Sequence, residues 1–214
     1  MKIIATGDTH GRFPKLPEGD VLVHTGDGTL YGSLSNVREL DNWFGSLDYK
    51  HIIYVPGNHD FCFAEGAGIK NAHVLINKEI VIDGVKFWGS PFSRRLGAFV
   101  FMREDADLER IWELIPEDVD ILITHGPPYG ILDWSIRQDH AGSKTLMERV
   151  DKVKPTYHLF GHIHEGAGIS IQNGIVFRNV SYVNEFYQPA NDPIVIDYEI
   201  FGSVARRQST SLLN

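Results

Sequence analysis

The 214-residue sequence holds one cysteine, Cys62, so no intrachain disulfide can form and a reducing compartment is its natural setting. Long apolar runs are missing too: none approaches the ~20 residues that a membrane-crossing helix requires. Met1 leads directly into Lys2-Ile3-Ile4-Ala5-Thr6, without a basic, apolar, small-residue leader, so the expected location is the cytoplasm. Positive charge is in deficit, with 20 Lys and Arg against 28 Asp and Glu and a net charge of −8. That balance argues against a nucleic-acid binder, which carries a basic stripe, and no stable nucleic-acid or membrane partner is expected. Repeats, low-complexity blocks and dividing linkers are absent as well. The expected organisation is therefore one domain over residues 1–200 and a polar tail over 201–214. Nothing in the sequence sets the oligomeric state.

What is present is a series of short apolar runs bounded by Gly, Pro and polar residues. Ile3–Thr6, Val21–Thr25, His51–Val55, Asp120–Thr124 and Tyr157–Phe160 read as buried strands. Helical patterns lie between them at Ser35–Leu47, Asp105–Leu114 and Gly142–Val150. In the first, Ser35 is the expected N-cap, and Val37, Leu40, Trp43, Phe44 and Leu47 share a face. Such alternation predicts an α/β sheet with helices packed on it. Two hairpins are predicted around Asp83-Gly84 and Asn173-Gly174, dipeptides that suit type I′ turns, and Ile194–Ile200 reads as a last strand.

All five buried-strand runs lead into polar residues of a narrow type. They are Gly7-Asp8-Thr9-His10, Gly26-Asp27, Gly57-Asn58-His59-Asp60, His125-Gly126-Pro127-Pro128 and Gly161-His162-Ile163-His164. Ligands of open α/β sheets gather outside the carboxyl ends of the strands, so five such ends predict one shared site. Asp8 with His10, and His162 with His164, sit two apart, where alternate side chains share a face. Each fragment alone is as readily a turn, a cap or a core histidine; five in order are not. Asp, Asn and His donors suit Mn, Fe, Zn or Ni, and the set exceeds what one ion needs. Two ions sharing a carboxylate are the arrangement used on phosphate esters, where they lower the pKa of a bridging water toward neutrality. Two divalent cations would also offset about half of the net charge.

These blocks resemble the calcineurin-like metallophosphoesterases, over nearly the whole chain from Ile3 to about Ile196. Gly57-Asn58-His59-Asp60-Phe61-Cys62, Thr124-His125-Gly126-Pro127-Pro128, Gly161-His162-Ile163-His164-Glu165-Gly166 and Gln188-Pro189-Ala190-Asn191-Asp192-Pro193 narrow the likeness. They resemble a subgroup of small metallophosphoesterase-domain proteins similar to class III cyclic-nucleotide phosphodiesterases. The resemblance implies a four-layer α/β/β/α sandwich with two mixed sheets, and hydrolysis of cyclic nucleotides or similar small phosphodiesters. It assigns Asp8, His10, Asp27 and His164 to one metal, and Asp27, Asn58, His125 and His162 to a second, with Asp27 bridging. Mn is the expected metal, with Fe, Zn, Ni and Co as alternatives. His59 would stand beside the scissile bond with Asp60 as its orienting carboxylate. The chain departs from the pattern at Gly28-Thr29-Leu30, where many members follow Gly-Asp with two residues and then Asp or Asn, and it keeps His164, which some weakly active relatives lack.

Beyond the ligands, Arg12 is a candidate for phosphate, and Phe61, Phe63, Tyr129 and Trp134 are aromatic neighbours that stack on a base or form wall. His24 reads as a hydrogen-bonded core histidine and Cys62 as a small filler. A phosphomonoesterase, protein phosphatase or nuclease on the same fold is the alternative function, and a scaffold that has lost catalysis is another.

Overall fold

A computed structural model describes residues 1–199; the expected tail over 201–214 lies outside the described residues. In chain order the elements are β1 (Lys2–Thr6), β2 (Val21–His24), α1 (Leu34–Gly45), β3 (His51–Tyr54), the single turn α2 (Phe61–Ala64) and β4 (His73–Val74). There follow β5 (Lys78–Ile82), β6 (Val85–Ser90), β7 (Ser93–Arg94), β8 (Met102–Arg103), α3 (Asp105–Trp112) and β9 (Ile121–Thr124). Last come α4 (Lys144–Val153), β10 (Tyr157–Phe160), β11 (Gly168–Gln172), β12 (Ile175–Asn179) and β13 (Ile194–Asp197).

The strands form two large mixed sheets, one in the order β13-β1-β2-β3-β4 and the other β11-β12-β10-β9-β6-β5; β7 and β8 pair separately. Inner strands of both are parallel, and antiparallel partners sit at the edges. Alternation along each strand explains the stacking, because a strand buried on both faces must be apolar at every position. Ile3, Ala5, Val21, Val23, Ile53 and Val55 face inward and meet Ile82, Val85, Phe87, Ile121, Ile123 and Leu159 of the other sheet. The intervening Ile4, Leu22, Ile52 and Tyr54 face Val37, Leu40, Trp43 and Phe44 of α1. On the opposite side Trp88, Leu122, Phe160 and Phe177 face Leu108 and Trp112 of α3 and Leu146 and Val150 of α4. The layers are α/β/β/α, as the resemblance implied.

Both hairpin turns have positive φ at their central residues: 49° and 82° at Asp83-Gly84, 52° and 79° at Asn173-Gly174. Several element ends differ from expectation; α3 stops at Trp112, short of Leu114, and three others show the cause. The cap of α1 is Ser33, whose extended backbone lets its hydroxyl accept from Asn36 N at 3.2 Å; Ser35 already lies inside the helix. Ser143 caps α4 by accepting from Leu146 N, and that helix runs on to Val153. β13 stops at Asp197 because its partner does: Asp197 pairs with Lys2, and Tyr198 N reaches the Met1 carbonyl. Residue 200, the far end of the expected strand, lies outside the described residues.

Parallel pairing in level register matters most for function. Thr6 pairs with His24 and His24 with Tyr54, so the motif-bearing ends of β1, β2 and β3 leave their sheet side by side. In the facing sheet Leu159 pairs with Ile123, which levels the ends of β10 and β9.

Candidate metal centre

Each strand end turns at once, and the turns are strained. Asp8, His10, Asp27 and His162 have φ of 47°, 47°, 49° and 69°, a region that costs a non-glycine residue on the order of 1–3 kcal/mol. Backbone bonds hold them there: Asp8 N donates to Gly26 O and His10 N to Asp27 O, both at 2.8 Å. The first two strand ends thus run on together as paired loops. Gly57 and Gly161 permit the close approach of carboxylates. A Cβ on Gly57 would lie 2.2 Å from Asp27 Oδ1, and one on Gly161 1.9 Å from Asp8 Oδ2.

The five ends converge. Asp27 Oδ2 lies 3.8 Å from His10 Nε2 and 3.6 Å from His125 Nε2, while its Oδ1 accepts from His59 N at 2.8 Å. His164 Nε2 is 3.3 Å from His10 Nε2 and 3.5 Å from Asp8 Oδ1. His125 Nε2 meets Asn58 Oδ1 at 2.8 Å, and the His162 ring lies 4.9 Å from that of His125. Donor atoms of Asp8, His10 and His164 fall within 4.8 Å of one another, as do those of Asp8, Asp27 and His125, and of His10, Asp27 and His59. Metal bonds of about 2.0–2.2 Å place donors sharing one ion roughly 3–3.6 Å apart, so these spacings fit a cation.

Hydrogen bonding fits one as well. The Nδ1 atoms of His125 and His164 face the Thr25 and Asn184 carbonyls at 3.0 and 3.1 Å, which turns each Nε2 toward the centre. His162 Nε2 is buried without a hydrogen-bond partner among the described residues. A buried polar atom left unpaired costs about 1–3 kcal/mol, which a cation would relieve.

Burial governs the charges. It pushes His125 down, His162 well down, and His10 to about 3, so these imidazoles are neutral and able to donate a lone pair. Burial also pushes Asp27 well above its usual range; His59 opposes this, and the charges of Asp60 and Asp8 add to it. Burial opposes ionisation of Asp8, but the His164 contact and the charges of His164, His125 and His10 outweigh it and hold that carboxyl far down. His164 shows the counterpart: burial lowers it, and the Asp8 carboxylate overcomes this and raises it to about 9.

The position of Asp60 corrects an expectation. Its carboxylate does not orient the His59 ring; His59 Nδ1 instead faces Leu30 O at 3.0 Å. Asp60 turns inward, where it accepts from the backbone N–H groups of Asp27, Thr29 and Gly57 and from the hydroxyls of Thr29 and Tyr54. Leu30, where the sequence pattern often has Asp or Asn, offers only its backbone carbonyl to His59, while Thr29 beside it donates its hydroxyl to Asp60 at 2.7 Å. Arg12 is exposed, two residues past His10. Phe63 is core, packed on Tyr54, and Tyr129 and Trp134 surround His140, itself bonded to Asp133. His24 is buried and bonded to Thr9 Oγ1, and Cys62 is half-buried.

Several contacts carry no sequence pattern. Ser181 Oγ donates to Asp8 Oδ2 at 2.9 Å, and the Tyr187 ring lies 4.7 Å from His10 and 5.3 Å from His164. Phe99 lies 4.9 Å from His59. Their loops reach the centre only through the fold.

The family model for calcineurin-like phosphoesterases matches residues 1–166. The chain is 36% identical to human metallophosphoesterase domain-containing protein 1 over 92% of this chain and 70% of that protein. A UPF0046 protein of Caenorhabditis elegans is 32% identical over 91% of this chain and 74% of its own length. One solved structure, at 20% identity, superposes with a TM-score of 0.62 over 86% of this chain and 91% of that one, a likeness of fold.

Proposed function

For this chain, which belongs to the calcineurin-like phosphoesterase family, we propose a divalent-metal-dependent phosphodiesterase acting on cyclic nucleotides or comparable small phosphodiesters. The observation that carries the reading is Asp27 Oδ2 lying between His10 Nε2 and His125 Nε2. One carboxylate oxygen between two sets of donors is what a bridging ligand requires. Asp8, His10, Asp27 and His164 would hold one ion and Asp27, Asn58, His125 and His162 the other, with Mn the expected metal. When bound, such cations supply Lewis acidity, polarising the phosphate oxygens and making water a stronger nucleophile near neutral pH.

The protein's own contribution centres on His59. With Nδ1 tied to Leu30 O, its Nε2 is the atom free to meet the ester. In hydrolysis a water oxygen joins phosphorus and gives up a proton to solvent, and the ester P–O bond breaks. The departing alcohol oxygen takes a proton from Nε2 of the His59 imidazolium, and solvent then returns a proton to that atom. The leaving group of a diester is an alcohol whose oxygen gains from such a donor. Asp60 acts at one remove, fixing the Asp27, Thr29 and Gly57 backbone and so the direction of the Asp27 carboxylate.

The test is turnover by Mn-loaded protein on bis-p-nitrophenyl phosphate, p-nitrophenyl phosphate, and 2′,3′- and 3′,5′-cyclic AMP. Diester or cyclic turnover at least about tenfold above the monoester is expected, a difference of about 1.4 kcal/mol in barrier. Preference for the monoester overturns the reading.

A further inference from the structure

A strip of aromatic rings, from the start of α2 and from several loops, crosses the metal centre. Phe61 and Phe99 have centroids 6.1 Å apart, Phe99 and His59 4.9 Å, His59 and His10 4.9 Å, and His10 and Tyr187 4.7 Å. Phe61, Phe99 and Tyr187 stand 37%, 41% and 38% exposed. Apolar surface grouped this way around a polar centre marks a place where a ligand's own apolar surface settles. The backbone bends to present it. Tyr187 has φ of 58°, a conformation unusual for a bulky side chain, and Phe101, two residues after Phe99, has φ of 56°. Outliers of this kind persist where the surrounding structure imposes them, and they cluster at ligand clamps.

We propose that Phe99 and Tyr187 are specificity-determining residues, selecting phosphate esters whose organic group carries a flat aromatic ring. The inference rests on the metal centre holding the phosphate, as in the proposed function. With phosphate at the donors around Asp27, the ester's organic group must leave past His59, and the surfaces flanking that exit are the Phe99 and Tyr187 rings. Phe99 is tilted only 35° from the His59 plane, an arrangement that a further flat ring can continue. Nucleobases and simple aryl groups share this chemistry.

Equilibrium binding to the Mn-loaded protein tests this without turnover. Phenyl phosphate and cyclohexyl phosphate differ in flatness at similar size and charge, and a stacked ring is worth about a tenfold advantage in Kd for phenyl. Phe99→Leu and Tyr187→Leu should each bring the phenyl-to-cyclohexyl ratio toward one, while Phe99→Tyr and Tyr187→Phe keep it. The ratio between 5′-AMP and ribose 5-phosphate then tells a nucleobase from a simple aryl group as the source of the ring. Equal affinity for the phenyl and cyclohexyl esters in the wild-type protein overturns the proposal, as does a leucine variant that keeps the ratio. Loss of turnover on the diester panel with the ratio intact would instead count against the reaction assigned to the site.

Discussion

His59 and Asp60 are adjacent in sequence yet do different work, and substitution separates them. His59→Ala removes the proposed proton donor while leaving the metal ligands in place. Turnover should fall by about 10²–10⁴ with the metal content of the purified protein retained; parallel loss of metal would make His59 a ligand. Asp60 is buried among five donors, from the backbone of Asp27, Thr29 and Gly57 and the hydroxyls of Thr29 and Tyr54. Asp60→Asn sets an amide N–H₂ against them, and the loss in stability should be about 2–4 kcal/mol by urea unfolding. Asp27→Asn keeps the shape but replaces the charged carboxylate between His10 and His125 with a neutral amide. Both ions should be lost or weakened together in a metal titration, and a variant that keeps two ions and full activity rules out the bridging role.

At the scale of elements, the site depends on strands stopping in level register and turning without delay. Gly161 follows β10, and its missing side chain leaves room for Asp8 Oδ2, 1.9 Å from where a Cβ would stand. Gly161→Ala must push the second strand end away from the first, so metal affinity should drop more than global stability, seen by comparing metal titration with urea unfolding. Gly174 gives the contrast: it has φ of 79° in the β11–β12 turn, and a Cβ there would meet open space. Gly174→Ala should cost about 1 kcal/mol through backbone strain and leave metal binding unchanged.

For the whole molecule, buried neutral histidines set how stability responds to acid. Burial holds His24 and His158 at about 3, against 6.5 for an exposed imidazole. Between those values the unfolded chain binds a proton at each and the folded protein does not. Stability therefore rises with pH by about 1.4 kcal/mol per unit for each histidine. The contribution is complete above 6.5 and is lost progressively as pH falls toward 3. His158 is bonded to Thr124 Oγ1 at 2.8 Å, away from the ligands, so His158→Gln isolates one share. In metal-free protein the variant's stability should fall less steeply between about pH 6 and about pH 4.5, by about 1.4 kcal/mol per unit. Equal slopes would show that His158 titrates normally in the folded state.

The sequence by itself determined the strands, the helices and the kind of chemistry, because these are local. Apolar runs such as Ile3–Thr6 and Val21–Thr25 announce strands buried on both faces, and the Asp, Asn and His residues that follow announce a cation site. It also determined both I′ hairpins, since Asp83-Gly84 and Asn173-Gly174 tolerate the positive φ those turns need. Only the tertiary structure decided which groups surround the donors. Ser181 reaches Asp8 across 173 residues and His164 reaches His10 across 154, and no spacing rule spans such distances. Asp60 stands next to His59 in the chain but turns away from its ring, because buried N–H groups and hydroxyls offer its charge five hydrogen bonds inward. Phe99 and Tyr187 have no motif at all. Their place beside His59 and His10 follows from two sheets packing face to face, which brings loops from distant parts of the chain over one set of strand ends.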